Sequence, residues 1–351
     1  MIATSRVPAL PLALTMGEPA GIGAEIALQS WLRRTAEQLP VFFLLDDPAR
    51  LNALAHQLGW TVPLAIIDNP AAATAGFDHA LPVLPVTLPN PVQPGTADPR
   101  NAAAVIAAID QAVDFALQRK VAGIVTNPIH KAVLLQSGFP YPGHTEYLAE
   151  RAGGGTAVML LAVPELRVVP VTIHVPLRQA IADLTTEAIV QAGMIAAAAL
   201  QADFGIANPR LAVSGLNPHA GEDGMMGRED LDIITPAIAR LRAAGIAASG
   251  PHAADTMFHA AARARYDVAI CMYHDQALIP LKTLDFDRGV NVTLGLSIVR
   301  TSPDHGTAFD IAGTGKARPD SLMAALRLAT EIAGHRQHQV QMATPASLNR
   351  A

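Results

Sequence analysis

Three histidines follow segments that the sequence predicts to be buried strands. His174 and His274 come directly after β-branched or apolar runs, and His219 follows such a run within a few residues. In an open α/β sheet, ligands bind outside the carboxyl ends of the strands, so three imidazoles at such ends can converge. Neutral imidazoles with an open coordination position suit a catalytic divalent metal; zinc is the leading candidate, and magnesium or cobalt are alternatives. The alternative interpretation is that all three are ordinary polar loop residues.

Two carboxylates and one lysine accompany these histidines. Asp275 is adjacent to His274, and Asp255 directly follows Ala253 and Ala254. Both are candidates for orienting a metal-bound imidazole or for relaying a proton. Lys282 stands in an apolar setting, 279–282, where its charge needs a partner. We therefore assign Lys282, Asp255 and Asp275 as candidate catalytic residues.

Further polar residues suggest an anion-binding site. Lys282, Asn291 and Arg300 can hold a phosphate or a carboxylate, with arginine able to grip it through two nitrogens. Arg288 is interpreted as a solvated surface residue and is left out of this site. His144 and Thr145 follow a Pro/Gly turn; they either bind an anion or cap a helix beginning near Glu146.

The elements that must position these residues alternate between short β-branched runs and alanine-rich helical segments. This alternation predicts an α/β fold with a mostly parallel sheet. The predicted strands are 10–15, 41–45, 121–126, 168–173, 211–214 and 268–272, and the predicted helices are 99–118, 186–202, 231–244 and 253–264. Thr185 is expected to start a helix, and so is Asp255. The Pro-rich segment 78–101 is either a long connection or an antiparallel excursion, and the tail after Gly334 resembles a frayed terminus.

Composition limits the classes of function. The 351-residue chain is 50% hydrophobic with a formal net charge of −5, which indicates a packed globular protein without a basic nucleic-acid footprint. No apolar run is long enough to span a bilayer. The first 16 residues fit a buried first strand better than a signal peptide. The single cysteine, Cys271, lies in an apolar run; we interpret it as a core residue and expect a reducing, cytoplasmic compartment.

A glycine-rich turn at 17–23 follows the first predicted strand. It lacks the G-x-G-x-x-G spacing of a Rossmann fingerprint and the lysine of a P-loop. It is either a tight strand-to-helix turn or a direct ligand contact.

Several of these motifs, taken in order, resemble the 4-hydroxythreonine-4-phosphate dehydrogenase (PdxA) family. The resemblance is carried by 17–23, 143–146, 215–222, 254–256, 273–276 and 289–295. The segment 305–313 also resembles the adenine-side nucleotide loop of isopropylmalate dehydrogenases. The resemblance implies two α/β/α domains with a cleft between them, of the isocitrate/isopropylmalate dehydrogenase type rather than Rossmann. We place the first domain at 1–135 plus 301–351 and the second at 136–300.

The same resemblance implies roles for individual residues. It assigns the metal to His174, His219 and His274, the substrate to His144, Thr145, Lys282, Asn291 and Arg300, and the NAD or NADP cofactor to His305, Gly306, Thr307 and Asp310. It also implies a homodimer whose active sites share residues between subunits. The choice between NAD and NADP stays open.

The activity that the resemblance implies is metal-dependent oxidation of 4-phosphohydroxy-L-threonine in pyridoxal 5'-phosphate biosynthesis. The product, 2-amino-3-oxo-4-phosphooxybutanoate, decarboxylates to 3-amino-2-oxopropyl phosphate. Alternative substrates are 4-phosphoerythronate, 4-phosphothreonate or a cis-dihydrodiol dicarboxylate. A metabolite-binding protein without catalytic activity is a further alternative. An acyl- or phosphate-transfer enzyme of similar fold is expected to lack the three histidines.

Overall fold

A computed structural model describes residues 10–141 and 143–343 of the chain. The first nine residues of the expected N-terminal strand region lie outside the described residues, and so do the last eight residues of the predicted frayed tail. The strands are β1 Leu12–Thr15, β2 Phe42–Asp46, β3 Leu64–Ile66, β4 Leu81–Pro85, β5 Gly123–Thr126, β6 Val158–Val163, β7 Leu166–Thr172, β8 Arg210–Ser214, β9 Ala247–His252, β10 Val268–Tyr273, β11 Val290–Leu294 and β12 Arg300–Pro303.

Helices fill most of the connections between these strands. They are α1 Gly23–Arg33, α2 Pro48–Gln57, α3 Ala73–Gly76, α4 Ala102–Leu117, α5 Lys131–Gln136, α6 His144–Arg151, α7 Leu177–Asp183, α8 Thr186–Phe204, α9 Thr235–Ala243, α10 Ala260–Arg263, α11 His274–Leu284 and α12 Asp320–Ala343. Among the described helices no single one is long and apolar enough to cross a membrane. Only α7 and α8 together pass that test, and they are bent by 89°.

The first of two compact units holds described residues 10–156 and 296–333. Its strands lie in the order β3-β4-β2-β1-β5-β12, and every described pairing among them is parallel. Residues of β1 and β2 are buried throughout, as expected for a parallel sheet covered on both faces. Since the strands are parallel, their carboxyl ends share one edge, and Thr15 of β1 pairs with Thr126 of β5 at that edge.

The second unit holds described residues 157–295 and 334–343. Its strand order is β11-β6-β7-β10-β8-β9. β6 is antiparallel to both of its neighbours, whereas β7, β10, β8 and β9 run parallel. Cys271 of β10 is fully buried in the hydrophobic core, and burial raises the pKa of its thiol. The prediction that Cys271 is a core residue is confirmed.

The predicted α/β class is confirmed, and all six predicted strands are present with small shifts at their ends. Thr185 caps α8, since its Oγ1 accepts a hydrogen bond from the Ala188 amide at 3.1 Å. The interpretation of 78–101 was wrong for 81–85, which form β4 and pair parallel with β2 and β3, while 86–98 is a long connection as expected. Leu81, Val83 and Leu84 of β4 are buried, and Pro85 at its end is exposed.

Two helix predictions were also wrong. Residues 253–264 form a 3₁₀ turn at Ala254–Thr256 and the short α10 instead of one helix, so Asp255 does not start a long helix. The tail after Gly334 does not fray at once, because α12 continues to Ala343. Arg336 on this helix donates to both carboxylate oxygens of Asp203 at 2.6 and 3.0 Å, which holds the end of α12 in place.

The chain passes between the two units at 156/157, 295/296 and 333/334, whereas the expected crossings were at 135/136 and 300/301. The residues between 136 and 156 belong with the first unit because α6 is tied to α4. Arg151 lies 3.1 Å from Asp110 and 2.9 Å from Asp114.

Candidate active site

Polar side chains gather near the carboxyl end of β5 in the first unit, where Arg300 at the start of β12 reaches Thr126. Arg300 is only 4% exposed, and its Nε and Nη2 donate to the Thr126 hydroxyl at 3.2 and 2.7 Å. Burial lowers the pKa of the Arg300 guanidinium to about 10, so the arginine still carries its charge at neutral pH. The strand end therefore holds a positive charge in a desolvated setting, where electrostatic attraction to an anion is strong.

His144 and Thr145 begin α6 in the same unit. Nε2 of His144 is buried and has no hydrogen-bond partner in the described part of the chain. Burial, together with the positive charges of Arg300 and Lys131, holds the pKa of His144 well below its ordinary value of 6.5. The imidazole is consequently neutral at pH 7, and one tautomer presents an N–H for donation. The structure thus brings His144 and Arg300 together, as predicted.

The scaffold beneath α6 explains how His144 keeps its place. The Tyr147 hydroxyl, one turn later, donates to Asp110 on α4, and burial raises the pKa of this phenol. The Tyr147 ring also packs edge-on against Phe139, with centroids 4.8 Å apart. An eight-residue helix is unstable by itself, so these contacts fix the start of α6.

The glycine-rich turn at 17–23 packs against neighbouring loops of the first unit. Gly17 has a φ of +67°, and a Cβ there would lie 2.6 Å from the Pro128 carbonyl oxygen. Only glycine fits such a position. The Ile22 amide donates to the Thr307 carbonyl oxygen at 3.0 Å. The structure thus shows the tight turn, and it shows that this turn supports the predicted nucleotide loop.

The predicted nucleotide loop, 305–313, is fixed at one end by a hydrogen bond and has exposed residues elsewhere. Glu25 is fully buried and accepts from the Gly313 amide at 2.9 Å. Gly306 and Asp310 are exposed, and Nδ1 of His305 lies 3.0 Å from the Gly306 carbonyl oxygen. Gly313 also lines a first-unit cavity of ≈ 520 Å³. An exposed carboxylate suits the ribose hydroxyls of a dinucleotide, so these residues fit such a cofactor.

Two of the three predicted metal ligands meet in the second unit. The rings of His174 and His274 have centroids 5.8 Å apart, and both line a cavity of ≈ 230 Å³. Nδ1 of His274 lies 2.7 Å from Oδ1 of Asp275, the predicted orienting carboxylate. This contact leaves Nε2 of His274 for another partner.

His219 does not complete this pair. It starts a five-residue run with left-handed backbone angles, which is strained for residues other than glycine. The preceding loop is held by buried Asp230, which accepts from the amides of Leu216 and Asn217 at 2.9 and 3.1 Å. In the described residues, no group of three His, Cys, Asp or Glu side chains is arranged to hold a metal ion. A three-histidine metal site stays a prediction, since the described residues supply only two of its ligands.

The remaining predicted residues of the second unit lie on three different elements. Lys282 on α11 has its ammonium 5.6 Å from the Phe286 ring centroid. Oδ1 of Asn291 on β11 is buried without a hydrogen-bond partner in the described chain. Asp255 is exposed on its 3₁₀ turn. Arg288 pairs with Asp285 at 2.5 Å, which agrees with its exclusion from the site.

Polar residues that follow β5 were not among the predicted site residues. Asn127 is fully buried, and its Nδ2 donates to the Thr15 carbonyl oxygen at 3.0 Å, while its Oδ1 has no partner in the described residues. Lys131, four residues later, adds a charge near His144. The strand-end signal used for the histidines also applies to Thr126 and Asn127, but this segment was taken for a domain boundary.

Comparison with known proteins gives consistent matches over most of the chain. A family model described as pyridoxal phosphate biosynthetic protein PdxA matches residues 38–329. A 4-hydroxythreonine-4-phosphate dehydrogenase of Bradyrhizobium diazoefficiens is 54% identical over 337 residues, which cover 93% of this chain and 97% of that relative. The crystal structure of a 4-hydroxythreonine-4-phosphate dehydrogenase from Klebsiella pneumoniae is similar with a TM-score of 0.84 and 38% identity, covering 93% of this chain and 100% of that one. The crystal structure of a terephthalate 1,2-cis-dihydrodiol dehydrogenase from Burkholderia xenovorans is similar with a TM-score of 0.61 and 30% identity, covering 92% of this chain and 98% of that one.

Proposed function

Because this chain belongs to the PdxA family of pyridoxal phosphate biosynthetic proteins, we propose that it oxidises 4-phosphohydroxy-L-threonine with NAD or NADP. The product is 2-amino-3-oxo-4-phosphooxybutanoate, a β-keto acid that loses carbon dioxide to give 3-amino-2-oxopropyl phosphate. The observation that carries this choice of substrate is the buried Arg300 beside the unpartnered Nε2 of His144. A phosphate accepts hydrogen bonds from both groups and from the Thr145 hydroxyl.

Nicotinamide, when bound, accepts the hydride from the carbon that carries the substrate hydroxyl. We propose that Gly306, Thr307 and Asp310, with His305, hold the nucleotide, supported by their exposed loop and by the adjacent ≈ 520 Å³ cavity. The exposed carboxylate of Asp310 can accept from ribose hydroxyls.

The hydroxyl proton needs an acceptor as the hydride leaves. Asp275 and Asp255 are the candidates for taking up and relaying this proton. Asp275 also lies 2.7 Å from Nδ1 of His274 and can orient that imidazole, whose Nε2 is then left for the predicted metal. In the decarboxylation, the electron pair of the breaking C–C bond forms an enolate, which then takes up a proton from water at carbon to give the ketone. The Lys282 ammonium stabilises that enolate, and Asn291 is proposed to orient the substrate.

The divalent metal is kept as a prediction and no step is assigned to it. Zinc, magnesium and cobalt are the candidates, with His174, His219 and His274 as the predicted ligands. The pair formed by His174 and His274 supports a metal, while the described position of His219 does not complete the set. Addition of a chelator decides whether turnover needs one.

We further propose that the protein is a cytoplasmic homodimer with small-molecule substrates. Ten of the fifteen large hydrophobic side chains that are exposed among the described residues lie in the second unit. They include Leu177, Met225 and Phe286, which are 56%, 84% and 75% exposed. Apolar surface of this kind is typical of a subunit interface.

A second candidate substrate is a cis-dihydrodiol dicarboxylate. The structural similarity to a terephthalate dihydrodiol dehydrogenase favours it, because a carboxylate can replace phosphate as the partner of Arg300. Phosphorylated acids such as 4-phosphoerythronate or 4-phosphothreonate carry a phosphate that can bind Arg300 in the same way.

The test is nicotinamide reduction, followed by absorbance, with 4-phosphohydroxy-L-threonine, 4-phospho-D-erythronate and a cis-dihydrodiol dicarboxylate in turn. Each substrate is assayed with and without a chelator. Turnover of the first substrate in preference to the others is the expected result, and loss of that turnover with the chelator would support the metal. Preference for another substrate would reassign the activity, and absence of reduction with all three would contradict a dehydrogenase.

A further inference from the structure

Lys131 lies beside the candidate phosphate site although it is absent from the predicted set of substrate residues. It is the first residue of α5 and follows the carboxyl end of β5 by five positions. His144 is close enough to Lys131 and Arg300 for both positive charges to lower its pKa. The first unit thus places two cations around one buried imidazole.

The contact between Lys131 and Gly143 shows how the lysine reaches the start of α6. A Cβ on Gly143 would lie 3.2 Å from Cε and 3.4 Å from Nζ of Lys131, and 3.3 Å from Oε2 of Glu146. The Gly143 φ of −177° is ordinary extended backbone, so its conformation does not demand glycine. The missing side chain gives the lysine stem and ammonium room next to His144 and Thr145.

Charge and hydrogen bonding both leave this cluster suited to an anion. Two cations near a neutral imidazole disfavour each other, and the buried Nε2 of His144 has no partner in the described residues. A buried polar atom without a partner is costly unless a ligand satisfies it. A dianion relieves both effects, since it attracts the cations and accepts from the imidazole N–H.

We propose that Lys131 is a further substrate-binding residue, which holds a phosphate-type dianion together with His144, Thr145 and Arg300. This inference rests on the proposed function insofar as the dianion is the substrate's phosphate. The carboxylate of Glu146 at the same place competes for Lys131 and weakens anion binding moderately.

The test measures the affinity of the full-length protein for inorganic phosphate by titration calorimetry. Lys131→Met is expected to weaken phosphate binding about tenfold or more, since it removes one charge-assisted contact. Lys131→Arg should restore most of the affinity. The matched control is Lys120→Met, because Lys120 is an exposed lysine that precedes β5, at the other end of the same strand. The control should change the affinity less than twofold.

Three outcomes would overturn the proposal: no phosphate binding by the unmodified protein at millimolar concentration, unchanged binding in Lys131→Met, or equal loss in Lys120→Met. Thermal unfolding of each variant verifies that it is folded. Reduction of nicotinamide with 4-phosphohydroxy-L-threonine separates this proposal from the proposed function. Weaker phosphate binding in a protein that reduces no nicotinamide would support Lys131 and reject the dehydrogenase. If the protein does reduce nicotinamide and Lys131→Met leaves KM for 4-phosphohydroxy-L-threonine unchanged, the dehydrogenase is supported and the role of Lys131 is rejected.

Discussion

Two arginines of the first unit, Arg50 on α2 and Arg300 at the start of β12, differ in what they bind. Arg50 donates to both carboxylate oxygens of Asp46 at 2.6 and 2.7 Å and to the Pro19 carbonyl oxygen at 2.5 Å. Nε and Nη2 of Arg300 donate to a neutral hydroxyl, that of Thr126. Asp46, at the end of β2, therefore forms an ion pair with Arg50 that has a structural role. Arg300, at the start of β12, is the cation that we assign to the ligand.

The largest effect expected from this comparison is on activity. Arg300→Met should reduce kcat/KM for 4-phosphohydroxy-L-threonine by roughly a hundred- to a thousandfold, since it removes a buried charge that grips the phosphate. Arg50→Met serves as the control for the phosphate site and should keep KM for 4-phosphohydroxy-L-threonine within about twofold. Any loss should instead fall on KM for the nucleotide, because Arg50 lines the ≈ 520 Å³ cavity. Steady-state kinetics of nicotinamide reduction provides the measurement. Comparable losses in both variants would remove the distinction between the two arginines.

The second prediction concerns stability, where Arg50→Met should have a larger effect than Arg300→Met. Arg50→Met leaves the fully buried Asp46 carboxylate without its cation and should lower the free energy of unfolding by about 3–5 kcal/mol. Arg300→Met should cost far less, because burial already disfavours the charge, as its lowered pKa indicates. Urea unfolding of both variants makes the comparison. A double variant, Asp46→Leu with Arg50→Met, should recover much of the loss, and failure to do so would indicate a packing defect instead.

Much of this contrast could not be predicted from the sequence. Periodicity places Asp46 directly after a predicted strand, but it predicts no strand at Arg300, which the family resemblance assigns to the substrate. The parallel pairing of β1 with β5 and of β5 with β12, however, brings Thr126 and Arg300 together across 174 residues. No local pattern encodes that proximity. Lys131 was missed for the same reason, since its neighbour His144 lies on another helix.

The second unit shows where sequence reasoning about strand ends holds and where it stops. His174 and His274 follow β7 and β10, which are paired strands, and their rings meet as that reasoning requires. His219 lies five residues beyond β8, and the backbone in between is set by Asp230 and by a left-handed run. Such loop conformations depend on tertiary hydrogen bonds rather than on residue spacing. The distance of a residue from its strand therefore limits how well its position can be predicted.

The smallest effect concerns pH and sharpens the comparison around His144. Its pKa in the folded protein is held well below 6.5 by burial and by Arg300 and Lys131. Between the two pKa values the unfolded chain binds the proton and the folded chain does not, so the free energy of unfolding falls as pH drops below about 6.5. The free energy of unfolding lost through His144 is at most about 1.4 kcal/mol per pH unit. The loss disappears above the unfolded-state pKa of about 6.5.

His144→Asn should flatten this pH dependence, because asparagine does not titrate. The measurement is urea unfolding of both proteins at several pH values between about 5 and 7.5, in buffer without phosphate. Lys131→Met should reduce the slope only partly, since burial and Arg300 still act on the imidazole. An identical slope in the unmodified protein and His144→Asn would mean that His144 has the same pKa in the folded and unfolded states. The site would then gain a cation below about pH 6.5, and the distinction between a neutral donor at His144 and the charged pair at Arg50 would need a different basis.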